Sequence, residues 1–174
     1  MLQSPGGRPV VKRTARAILL DSGPHGPELV VIKRTKPGRT PYWITPGGCM
    51  ESTDPTVVDA LHRELSEELG GKASDVVPAF VDTVPYTHHD DGTPAHPDGV
   101  KVQHFFVCRL ESMDLSLRHG PEVDEPNGEY DIVRLPFTRE GVTSVNVVPA
   151  SLRGYLAANI EGITALLADD LGPV

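Results

Sequence analysis

The segment Gly47–Gly71, GGCMESTDPTVVDALHRELSEELGG, limits what this chain can fold into more than any other part of it. Asp54-Pro55 predicts a helix start, with Asp54 as N-cap and Pro55 at the first helical position. Gly70-Gly71 predicts the stop after Leu69. At about 100° per residue from Val57, Leu61, Leu65, Val58 and Leu69 fall at about 40°, 80°, 100° and 120°. Glu68 falls inside that apolar arc at about 20°, Glu64 at its edge at about 340°, and Glu67 at about 280°. A solvated acidic face would leave Glu68 aimed at the core, where an isolated charge costs several kcal/mol. Like charges one helical turn apart also repel. A bound cation removes both costs. Clustered hard oxygens suit Mg²⁺ or Mn²⁺ better than zinc, and Arg63 stands where it can pair with and orient one carboxylate.

The rest of the chain predicts a frame for this helix. Val10–Asp21 and Glu28–Thr35 are rich in β-branched and aliphatic residues and flank the turn signal Ser22-Gly23-Pro24, as a hairpin would. A short strand Tyr42–Thr45, the loop Pro46-Gly47-Gly48, and strands at Val76–Pro85, Lys101–Leu110 and Tyr130–Pro136 follow. Leu152, Tyr155, Leu156, Ile160, Ile163 and Leu167 recur at helical spacing, predicting one amphipathic helix over Ser151–Leu167. Strands and helices mix without regular βαβ alternation, which favours an α/β sandwich with a mixed sheet over a doubly wound parallel one. At 174 residues the chain suits one domain, expected over 11–174 behind a flexible leader, 1–10.

Charge and cysteine content narrow the partners. A net charge of −8 opposes a binder of long nucleic acid, but leaves room for a small anionic substrate met by a metal or a local basic patch. Cys49 and Cys108 are too few for a disulfide framework or a zinc set. No apolar run reaches membrane-spanning length, and the Gly- and Pro-containing start lacks the apolar stretch of a signal peptide, so a cytoplasmic location is expected.

Arg63-Glu64-Leu65-Ser66-Glu67-Glu68-Leu69-Gly70, preceded by Pro46-Gly47-Gly48, resembles the signature of the Nudix hydrolases. The second half of that signature is matched until Gly71 stands where an aliphatic residue is usual. In the first half Asp54 replaces a Glu, Thr53 a Gly, and one extra residue separates Asp54 from Arg63. Asp54 is therefore open to two readings, a family role or an N-cap. VVIKRTKPGRTPYWITPGG extends the likeness through the preceding strand and basic pair.

The resemblance implies an α/β/α sandwich of Nudix type and Mg²⁺- or Mn²⁺-dependent hydrolysis of the pyrophosphate linkage in a nucleoside diphosphate derivative. It implies that Glu64, Glu67, Glu68 and the Gly48 carbonyl hold metal and that Arg63 positions a carboxylate. Glu64 or another of the glutamates would act as base. A further acid from a loop outside the signature is expected to be Glu129, with Glu125 and Glu122 behind it. Lys33 and Arg34 are candidates for substrate phosphate, although strand alternation puts them on opposite faces. Trp43 is a candidate for stacking on a base or for the core. His88, His89, His96, Asp90 and Asp91 crowd one polar loop without regular ligand spacing. His104 reads as a strand residue. The fold also allows a homodimer, a catalytically silent nucleotide-sensing domain, or an isomerase of prenyl diphosphates.

Overall fold

The computed structural model describes residues 6–167. The predicted leader therefore lies partly outside the described residues, and Val10 already belongs to the first strand. Strand β1 (Val10–Gly23) turns into β2 (Gly26–Thr35) as an antiparallel hairpin, registered from Leu19 opposite Val30 to Gly23 opposite Gly26. Beyond that stretch the two strands part, and two short strands occupy the fork. β3 (Tyr42–Ile44) pairs with β2, and β4 (Gly47–Cys49) pairs with β1. β7 (Glu129–Pro136) runs along the other edge of β2 from Glu28 to Thr35. β6 (Val100–Met113) lies parallel to β1, and β5 (Gly71–Pro85) closes that side antiparallel to β6. The sheet is mixed and seven-stranded.

Alternation along β1 sends side chains to two cores. Ala15, Ala17 and Leu19, with Val30 from β2, pack against Ala60, Leu61, Leu65 and Leu69 of helix α1 (Val57–Leu69). Ile18, Leu20, Leu29 and Val31 face the opposite way and meet Val142 of α3 (Arg139–Thr143). Leu152 and Leu156 of α4 (Ala150–Ala158) and Ile163 of α5 (Ile160–Leu166) complete that layer. Helices thus cover both faces, giving the expected α/β/α sandwich.

Three expectations need correction. Helix α1 begins three residues after Asp54: Thr56 is the N-cap, its hydroxyl accepting from the Asp59 amide at 3.1 Å. The extra residue is absorbed in the loop before Thr56. Gly70 does end the helix, at φ 55°, the left-handed conformation that a glycine adopts without penalty. The C-terminal helix is two helices broken at Asn159, whose side-chain amide donates to the Tyr155 carbonyl at 2.8 Å. Finally, the long segment after β6 contains a 3₁₀ turn at Leu115–Leu117 and the short helix α2 (Pro121–Asp124).

Candidate active site

The fork between β1 and β2 brings the Gly47-Gly48 strand against the acidic side of α1. A Cβ on Gly47, which has φ 144°, would overlap the Ala15 carbonyl oxygen, so this close approach requires glycine. A Cβ on Gly48 would lie 2.5 Å from Glu64 Oε1, so the second glycine keeps the space before that carboxylate open. The Gly47 amide donates to Glu68 Oε2 at 2.9 Å.

Arg63 ties the acids together. Its Nε and Nη2 donate to the two Asp54 oxygens at 3.0 and 2.9 Å, a bidentate pair. Nη1 reaches Glu64 Oε1 at 3.0 Å and Glu67 Oε1 at 3.3 Å, and Nη2 also donates to the Cys49 carbonyl at 2.8 Å. Asp54 in turn accepts from the Glu51 amide at 2.8 Å. Its hydrogen bonds from Arg63 hold its carboxyl below the ordinary 3.8. Asp54 is therefore the anchor of Arg63 and not the helix cap.

Glu64 and Glu68 are each 6% exposed, on the buried face of α1. Burial pushes the Glu64 carboxyl up to about 7, against the pull of Arg63. Burial likewise pushes Glu68 up to about 8, against Arg16 and the Gly47 amide. Repulsion from Glu122 adds to the rise at both.

A profile of the NUDIX domain matches residues 11–135. The chain belongs to the Nudix hydrolase family. Members of this family generally cleave nucleoside diphosphate derivatives. A NUDIX hydrolase structure from Listeria monocytogenes is 16% identical, with TM-score 0.58 over 87% of this chain and 94% of that one. The MutT protein from Methanosarcina mazei is 18% identical, with TM-score 0.53 over 90% and 96%. A MutT NUDIX hydrolase from Burkholderia pseudomallei is 19% identical, with TM-score 0.52 over 83% and 95%. At these identities the likeness is one of fold. No curated protein matches the chain significantly.

Among the described residues of this Nudix chain, no three Asp, Glu, His or Cys side chains already converge as a metal cage. The donor chemistry nonetheless fits a hard divalent cation. Glu64 and Glu68 are buried carboxylates whose charged forms burial disfavours, a cost that a bound cation would offset, and Gly48 leaves open space in front of Glu64.

Arg34 and Lys33 part as alternation requires. Arg34, on the α1 side with Val30 and Ile32, is buried, lies 3.7 Å from the Tyr130 ring centroid and donates to the Asn127 carbonyl at 2.6 Å. Its Nε has no hydrogen-bond partner among the described residues. Lys33 lies over the Trp43 ring at 5.6 Å, and Trp43 packs on the α4–α5 core. Glu129 stands exposed at the start of β7, opposite Thr35. Glu122, on α2, is the loop acid whose charge reaches Glu64 and Glu68. Gly120, just before α2, is seated against Glu67, where an added Cβ would lie 3.2 Å from Oε2. In the polar loop, Asp90 pairs with Lys12 at 2.6 Å and Asp91 accepts from the Thr93 amide at 2.9 Å, so both acids have partners there. His104 lies on β6 beside Arg13 Nη1 at 3.1 Å.

Proposed function

We propose that this chain is a Mg²⁺- or Mn²⁺-dependent pyrophosphohydrolase of a small nucleoside diphosphate derivative. The observation that carries the reading is the pair of buried glutamates, Glu64 and Glu68, facing the open Gly47-Gly48 strand. Glu64, Glu67, Glu68 and the Gly48 carbonyl would hold the cation. Bound there, it would neutralise the pyrophosphate and acidify the attacking water. Arg63 fixes the rotamers of Glu64 and Glu67. Glu64 would act as the base that takes the proton from water attacking phosphorus in line with the leaving oxygen. The Gly47 amide holds Glu68 in place. Arg34 meets substrate phosphate from the α1 side. Lys33, Trp43 and Glu129 are assigned lesser contacts with the substrate or cation. The chain's net charge of −8 favours a compact substrate over long nucleic acid. No helix among the described residues is long and apolar enough to cross a membrane.

The test is incubation with either metal and a panel of nucleoside diphosphate derivatives and triphosphates, with chromatographic separation of products. Glu67→Gln and Glu68→Gln are each expected to lower turnover by about two to four orders of magnitude. Near-normal turnover in both variants defeats the mechanism. A panel that is never cleaved but raises the melting temperature supports a nucleotide-sensing domain instead.

A further inference from the structure

On the face of the sheet opposite α1, β1 and β6 run parallel with Lys12 opposite Lys101, Thr14 opposite Gln103 and Arg16 opposite Phe105. Here a cavity of about 240 Å³ is lined by Arg16, Thr45, Lys101, Gln103, Phe105 and Pro149, among others. Its lining contains two cations and no carboxylate. Arg16 is held by Nη1 alone, which donates to the Thr45 carbonyl at 3.1 Å and the Gly47 carbonyl at 3.0 Å. Its remaining nitrogens have no hydrogen-bond partner among the described residues. Lys101 makes no ion pair among the described residues. Asp90, the acid whose charge reaches Lys101, is engaged by Lys12 at 2.6 Å. Thr14 is 3% exposed, and its hydroxyl, in the row between Lys12 and Arg16, is buried without a hydrogen-bond partner among the described residues.

We propose that the cavity holding Arg16, Lys101 and Gln103 is a subsite for a second phosphoryl group of the substrate, one outside the cleaved anhydride. The inference rests on the hydrolase reading above and narrows its substrate to a diphosphate compound with a further phosphate ester. Neither cation makes an ion pair among the described residues, although the charge of Arg16 also acts on Glu68, and this favours an anionic occupant. A neutral ring in the cavity would leave two like charges unmatched in a half-buried space, whereas a tetrahedral oxyanion accepts from both. Burial, with Lys12 and Arg16 close by, already holds the Lys101 ammonium below its ordinary 10.5, and an anion relieves that strain. Arg16 also connects the cavity to the reaction centre. It grips the Gly47 carbonyl, while the Gly47 amide grips Glu68. Arg16 thus lines the cavity and also contacts the Gly47 strand against which Glu68 is held.

Titration calorimetry of the full chain tests this without turnover, using nucleoside 5′-monophosphates against the corresponding 2′,5′- and 3′,5′-bisphosphates. A bisphosphate is expected to bind at least about tenfold more tightly than its monophosphate. The advantage should vanish in Lys101→Met and return in Lys101→Arg. Lys101→Gln replaces Lys101→Met if the latter does not give a cooperative melting transition. Equal affinities, no binding of either ligand, or an advantage untouched by these neutral substitutions overturns the inference. A Lys101-dependent bisphosphate preference without any pyrophosphate cleavage overturns only the hydrolase reading.

Discussion

Arg63 carries more of the site than any glutamate does, because it is the shared partner of Asp54, Glu64 and Glu67. Arg63→Met leaves those acids to repel one another in a space that is largely closed to water. We expect a loss of stability of about 2 kcal/mol, well below the figure for a fully buried pair because Arg63 keeps some solvent contact. For a chain of this size that lowers the melting temperature by roughly 4–8 °C. Turnover should fall at least about tenfold as the carboxylates lose their positions. Arg63→Lys should recover little of either, since an ammonium cannot span Asp54 in a bidentate pair while also reaching Glu64. Thermal melts and steady-state kinetics check both; full activity in the lysine variant contradicts the positioning role. At this scale the sequence was readable where chemistry is demanding. Glutamates at i, i+3 and i+4 with Glu68 in the apolar arc pointed to the buried acids. Asp54 was not readable, since an aspartate before a proline serves equally as a cap or as the partner of a distant arginine. Only the path of residues 50–56 decides between them.

Helix α1 is the element that presents the acids, and its first turn gives a way to separate capping from ion pairing. Thr56→Ala removes the cap hydroxyl and should cost about 1 kcal/mol, roughly 2–4 °C in melting temperature, with the pyrophosphate chemistry largely intact. Asp54→Asn keeps a good capping side chain but removes the charge that Arg63 grips in two places. It should impair turnover more than Thr56→Ala does. The reverse ranking would return the cap to Asp54. The same contrast explains which element boundaries were legible. Gly70 ended α1 as expected because its left-handed backbone is a property of glycine itself. The division of the C-terminal helix at Asn159 was hidden, because Leu152, Leu156 and Ile163 face one core on both sides of the break. Periodicity records the buried face and is silent on an interruption that preserves it.

Across the whole molecule, the sandwich places two glutamates in its interior and leaves the carboxylates there without enough positive charge. Arg16 and Arg63 lower the cost, yet Glu64 and Glu68 still sit at about 7 and about 8, above their ordinary 4.5. The folded chain therefore binds more protons than the unfolded chain between those limits. Stability contributed by these groups is fully present below about 4.5 and is lost as pH rises through about 7 to 8. His104 acts in the opposite sense. Burial and Arg13 hold its pKa below 6.5, so its contribution is lost as pH falls. Metal-free protein should thus melt at a lower temperature near pH 8 than near pH 6, and Glu64→Gln with Glu68→Gln should flatten that slope while leaving the His104 contribution. Added Mg²⁺ or Mn²⁺ should raise the melting temperature more at the higher pH, because below it protons compete for the same oxygens. Differential scanning fluorimetry of chelator-treated protein across this range, with and without each metal, reads both effects. A melting temperature that rises with pH in the metal-free wild type, or a metal response that is equal at the two ends, would show that the buried glutamates are neutralised from within the fold and have no need of a cation.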